Sequence, residues 1–176
     1  MSKNDQTPAP TDFDSLAFRR ALGRFATGIT VVTARASDGA MAGLTVNSFN
    51  SVSLEPPLVL WSLGRASPSH EVFERASHFA VNVLSAEQIA LSNHFSRSGS
   101  DKFSGVEWSA GLHGAPLLVG CCAWFECRVA ARHPGGDHTI FIGEVEKIRD
   151  DVKRAPLVYF GGEYCFVTPA QTKDAP

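Results

Sequence analysis

At 176 residues and 44 % hydrophobic, the chain is long enough for one domain with its own core and short for two. A net charge of -2, only 19 % charged residues and no Lys/Arg-rich run exclude the electrostatic footprint of a nucleic-acid binder. The first residues, MSKNDQTPAP, hold no basic stretch leading into an apolar one, and nowhere is a run apolar over the roughly 18 residues a membrane helix needs, so no leader, no membrane span and a cytoplasmic protein are expected.

Residues 1–11 are polar and proline-containing and read as a disordered tail, 12–168 as the domain, and 169–176 as a second tail. In DFDSLAFRRALGRFATG, Leu16, Phe18, Ala21, Leu22 and Phe25 recur at helical spacing, with Asp12 or Asp14 as the cap and Gly28 as the stop. ITVVTARASDGAMAGLTV sets two β-branched runs about Asp38-Gly39, the dipeptide of a type I′ hairpin. PPLVLWSL is a continuous apolar run, expected to be a central strand buried on both faces. SPSHEVFERAS reads as a short helix, HFAVNVL as a strand, and SAEQIALSNHFS as a helix capped by Ser85. RSGSDKFSGVEWSAGLHGAPL has no period and reads as a long loop. LVGCCAWFECRVAARH and DHTIFIGEVEKIRD are strand-like about Pro134-Gly135-Gly136, and APLVYFGGEYCFV supplies one last strand. Six or seven strands with helices inserted, and no regular strand-helix alternation, predict a mainly β fold: a mostly antiparallel β-barrel carrying a few helices.

No GxGxxG follows a strand and no GxxxxGK[ST] occurs, so neither common phosphate-binding loop is present. Between two strand runs, Asn47, Ser48, Asn50, Ser51 and Ser53 crowd amides and hydroxyls at a strand end. Such groups bond a heterocycle edge or a phosphate without charge, and they equally well cap a polar turn; residue types alone leave both readings open. Of six histidines, His138 stands out, following a Gly-Gly turn at the mouth of a strand whose Ile140 and Ile142 share its face, hence at a barrel rim. His133, Asp137 and His138 alternate along a strand, so no metal site is expected. Cys121, Cys122 and Cys127 sit in an apolar strand pattern and read as packing, and with Cys165 they show no CxxC or disulfide spacing. Arg65 and Lys102 are candidate anion contacts, with Ser62, Ser67 and Ser69 flanking Arg65.

FRRALGRFATGITVVTA, GLTVNSFNSVSLEPPLVLWSL, FAVNVLS, DKFSGVEW and GGDHTIFIGEVEKI, in this order, resemble the short-chain flavin reductases that form the small component of two-component flavin-dependent monooxygenases. The likeness spans about residues 13–167. It implies a split-barrel homodimer with the flavin near the subunit interface, and hydride transfer from NADH, or NADPH, to FMN or FAD. It further implies that Thr45, Val46, Asn47, Ser48, Phe49, Ser51 and Val52 hold the flavin, Asn47 and Ser48 at the ring edge. Ser62, Arg65, Ser67, Lys102 and Phe103 would surround the ribityl chain and phosphate, Tyr164 would close over the ring, and His138 would sit by the nicotinamide. The implied partner is an oxygenase that receives the reduced flavin. A related barrel with permanently bound FMN acting as an oxidase, and a flavin or haem carrier without turnover, are the competing readings.

Overall fold

The computed structural model describes residues 12–99 and 101–168; both expected tails, 1–11 and 169–176, lie outside them. Asp14 opens helix α1 (Ser15–Leu22), its carboxylate accepting the Ala17 N–H at 2.7 Å. The helix ends before Gly23 rather than at Gly28, because Thr27–Gly28 leave it to form strand β1.

Strands β2 (Thr30–Arg35) and β3 (Met41–Val46) make the expected hairpin with a different turn. Within it only Gly39 takes positive φ, +89°; its N–H donates to Ala36 O and the Ala36 N–H donates to Ala40 O. That is a three-residue turn closed by a left-handed glycine, not a type I′ pair, since a Cβ makes positive φ costly at Asp38. Next come β4 (Asn50–Leu54), β5 (Pro57–Gly64), α2 (His70–Arg75), β6 (His78–Val83) and α3 (Ile89–Ser96). The start of α3 is Gln88, not Ser85: Ser85 pairs with Pro156, and its N–H is taken by Gln88 Oε1 at 2.9 Å. The expected long loop contains β7 (Trp108–Ala110), a 3-10 turn Leu112–Gly114 and β8 (Pro116–Leu118). Then β9 (Ala123–Gly135) and β10 (His138–Asp150) form the long hairpin, and the end of the domain folds as two strands, β11 (Leu157–Phe160) and β12 (Glu163–Phe166). Their turn, Gly161-Gly162, has φ of +64° and +95°, which only glycine adopts cheaply.

Seven strands form one antiparallel sheet in the order β3-β2-β6-β9-β10-β5-β4. Its two edge strands are consecutive in the chain, joined by residues 47–49. Laid flat at about 4.8 Å per strand, those edges would be roughly 29 Å apart. The four steps from Val46 to Asn50 reach about 14 Å at most. The sheet therefore rolls into a barrel whose seam lies between β3 and β4, in keeping with the split barrel that the family resemblance implies.

The inside is filled from every side: Val32, Trp61, Phe79, Phe141 and, from α2, Phe73 are buried together. Trp61 stacks on Phe141 at 4.8 Å between centroids and meets Phe73 edge-on at 4.9 Å. A second core, with Val31, Leu84, Phe95, Leu118 and Leu157, lies on the other face of β2 and β6, so these two strands are buried on both faces. Strand β5 is not: Val59, Trp61 and Leu63 are buried, while Leu58, Leu60 and Ser62 are half-buried. Its neighbour is the edge strand β4.

Candidate functional site

The seam is where the predicted site residues gather. Ser48, in the link between the edges, accepts the Ser62 N–H of β5 at 3.0 Å through its hydroxyl oxygen. This side chain does the joining that a main-chain ladder would do in a closed barrel, and it ties the β3 end to β5. Antiparallel pairing then sets His138 opposite Gly64. As a result Thr45, Val46, Asn47, Ser48, Ser62 and His138 border one cavity of about 260 Å³.

Two larger cavities adjoin it at Asn47. One, of about 420 Å³, runs between Thr45–Asn47, the Ser92-Asn93 turn of α3, and Tyr159, Gly162 and Tyr164 of the last hairpin. The other, of about 540 Å³ and mostly apolar, lies between Asn47-Ser48 and Leu22, Phe25 and Thr27. A third, of about 150 Å³, is shared by Thr45, Ser67 and Lys102. The four form a groove along the barrel seam of the size that takes organic ligands. Its lining offers amides, hydroxyls and apolar surface. The Thr27 hydroxyl is buried with no hydrogen-bond partner among the described residues, and the Asn47 amide likewise has none. A flat heterocycle with carbonyl and imide groups fits such a donor set, and flavin is one.

His138 is half-exposed at the rim, as expected. Its Nδ1 lies 2.7 Å from the Asp137 carboxylate, and this bond holds the Asp137 carboxyl below the usual carboxylate range. Opposite it, Gly64 has no side chain; a Cβ there would stand 3.8 Å from His138 Nε2. Tyr164 reaches both Ser92 Oγ and Asn93 Oδ1 at 2.9 Å. Lys102 donates its ammonium to Gly43 O at 3.1 Å and Phe95 O at 3.0 Å, and burial pulls its pKa down. Ser67 accepts the Ser69 N–H at 3.3 Å, and Arg65 is exposed, its N–H bonded to Asp137 O.

Five predicted residues stand apart from these cavities, the exposed Arg65 among them. Phe49 packs into the barrel core against Phe125, 5.4 Å between centroids. Phe103 packs on Phe95 and Trp108 in the second core. Ser51 and Val52 are exposed on the edge strand β4. Conversely, Asn93, Ser96 and Tyr159 line the groove though no sequence pattern singled them out. LSNHFS shows only the polar face of a helix, and what brings it to the groove is the long-range contact with β3 and β12.

Burial pushes the Cys121 and Cys127 thiols up to about 12, far from a reactive thiolate. Among the described residues no three metal-ligating side chains converge, and no helix is long and apolar enough to cross a membrane.

Comparison with known proteins points the same way. The model of the flavin reductase like domain matches residues 22–168. The chain is 48 % identical over 163 residues to the FMN reductase (NADH) SmoA of Agrobacterium fabrum, covering 92 % of this chain and 91 % of that one. It is 37 % identical to the flavin-dependent monooxygenase reductase subunit HsaB of Rhodococcus jostii, over 98 % of this chain and 88 % of that one. Among solved structures, the NADH:FAD oxidoreductase SgcE6 of Streptomyces globisporus, in complex with NAD and FAD fragments, superposes with a TM-score of 0.83 at 40 % identity, covering 92 % of this chain and 96 % of that one.

Proposed function

The chain belongs to the flavin reductase like family, and from that premise we propose that it passes a hydride from NADH to FMN or FAD and releases the reduced flavin to a partner monooxygenase. The observation that carries this reading is the seam groove, where Thr45, Val46 and Asn47 border a cavity ending at His138 and another ending at Tyr164. Flavin chemistry supplies the hydride acceptor at ring atom N5. The protein's residues have only to hold two flat rings face to face and keep water out, which explains a groove without an acid-base pair.

In this reading Thr45–Ser48, Ser62 and Tyr164 hold the ring and its ribityl chain with neutral groups. Ser67 and Lys102 stand toward the phosphate, and His138 faces the nicotinamide. Arg97, exposed and lining the cavity of Ser67 and Lys102, is a further cation at that end, and Arg65 is exposed outside it. Phe49 and Phe103 act from beneath, as core residues that set the shape of the wall.

Helix α1 supports a homodimer. Leu16, Phe18, Leu22 and Phe25 are 70 %, 50 %, 57 % and 73 % exposed on and just after a single short helix, more apolar surface than a free helix leaves in water. A second copy covering that face would also close the apolar cavity beside Leu22 and Phe25. A sedimentation experiment returning one protomer would remove this part. The four cysteines are free thiols, which suits the reducing cytoplasm, and cell fractionation tests that location.

The decisive experiment is steady-state oxidation of NADH and of NADPH with FMN, FAD and riboflavin in turn. Turnover that depends on added flavin is expected, with NADH preferred; no turnover with any pair overturns the reading.

A further inference from the structure

Asn93 lies on α3 next to Ser92, which is fully buried, and it is the exposed member of the pair. The Tyr164 hydroxyl lies 2.9 Å from Ser92 Oγ and 2.9 Å from Asn93 Oδ1, and a phenol has one proton to give. If Tyr164 gave it to Ser92, the buried serine proton would have no acceptor among the described residues, an expensive loss. The arrangement that satisfies all three groups runs one way. Ser92 Oγ–H donates to Tyr164 Oη, and Tyr164 Oη–H donates to Asn93 Oδ1.

That order turns the Asn93 carbonyl to the tyrosine and leaves both N–H groups of its Nδ2 without a partner among the described residues, on a side chain that lines the cavity of about 420 Å³. Asn47, whose amide is also unbonded, borders the same cavity. Fixed donors from one amide and an acceptor from the other complement the pyrimidine edge of an isoalloxazine, which presents two carbonyl oxygens about one imide N–H. We propose that Asn93, oriented by Tyr164, is a specificity residue that donates to a carbonyl oxygen of the flavin's pyrimidine edge, while Asn47 takes the imide proton. The inference rests on the flavin reductase reading and adds to it the group that recognises the ring.

The test is the dissociation constant of FMN and of its 2-thio and 4-thio analogues, read by flavin fluorescence or absorbance without NADH. The proteins are the wild type, Asn93→Ala, Asn93→Asp and Tyr164→Phe. Sulfur is a weaker acceptor than oxygen, so the wild type is expected to bind one thio analogue several-fold less tightly than FMN, and Asn93→Ala to lose that discrimination while binding FMN roughly tenfold less tightly. Asn93→Asp keeps the acceptor for Tyr164 but offers the ring a carboxylate, and should weaken FMN more than Asn93→Ala does. Tyr164→Phe frees the amide to turn and should weaken FMN by an intermediate factor. Wild-type FMN affinity in both Asn93 variants overturns the inference and leaves the function standing. A wild type that binds no flavin overturns both.

Discussion

At the scale of single residues, the groove is a place where side chains are oriented by neighbours that do not themselves face a ligand. The Asp137 carboxylate, 2.7 Å from His138 Nδ1, fixes the proton of the neutral imidazole on that nitrogen and leaves Nε2 as the free acceptor on the Gly64 side. In the proposed reading this acceptor, on the rim of the cavity it shares with Asn47, meets the carboxamide of a nicotinamide. His138→Ala is therefore expected to raise the NADH concentration needed for half-maximal rate by roughly tenfold, on the scale of a lost hydrogen bond to a bound ligand, while FMN affinity is unchanged. Steady-state kinetics beside a flavin titration checks it; lost flavin affinity with an unchanged NADH dependence would contradict the assignment. His138 was legible in the sequence because glycines and an aspartate before a strand can only be a turn, and the first residue after a turn stands at a rim. Asn93 was not legible, since its meaning comes from Tyr164, 71 residues away.

At the scale of elements, strands and helices were legible where periodicity was strong, and turns were misread where a third contact decided them. Ser85 has the residue type of a cap, yet its backbone is held by Pro156, so α3 starts after Gln88. The segment read as a long loop shows why composition misleads: its 3-10 turn is clamped from below. The Leu112 N–H donates to the buried Glu126 carboxylate at 2.6 Å, and His113, at a φ of +51°, stacks on His78 with 3.8 Å between centroids. Burial first, then the neighbouring His113, lower the pKa of His78; Arg128 adds to this, and Glu146 at 3.4 Å opposes it. The folded chain thus resists a proton that the unfolded chain accepts from its ordinary 6.5 downward. Stability is full above that pH and is lost as the pH falls toward the folded value. As the pH falls from about 7.5 to about 5.5 the melting temperature should therefore drop on account of His78. His113→Asn, which tolerates the left-handed backbone, should flatten the drop. An equal drop in that variant would mean that His113 does not contribute to it, leaving burial of His78 as its cause.

At the scale of the whole molecule, the route of the chain sets the tightness of the site. Because the barrel closes through a three-residue link and a serine hydroxyl instead of a ladder, its seam stays open as a groove, and a ligand lying there keeps one side toward solvent. Among the described residues, the two cavities that share Thr45 and Asn47 are lined by no lysine or arginine; Arg97 and Arg19 line the two cavities beside them, and Lys102 spends its ammonium on two main-chain carbonyls. Reduction adds electron density, and near neutral pH negative charge, to a flavin ring. A wall of neutral donors gains little from that charge, whereas a nearby cation would gain much. Reduced FMN is therefore expected to bind no tighter than oxidised FMN, within about a factor of ten or 1.4 kcal/mol, which suits a reductase whose product must leave to reach its partner. Anaerobic titration with FMN before and after reduction measures both constants, and much tighter retention of the reduced form would contradict the argument. Ser96→Lys adds an ammonium to the cavity of about 420 Å³ at an exposed position. It should tighten the reduced form selectively, by roughly tenfold, and slow delivery of reduced flavin to an external acceptor; tightening of both forms alike would trace the gain to packing and not to charge.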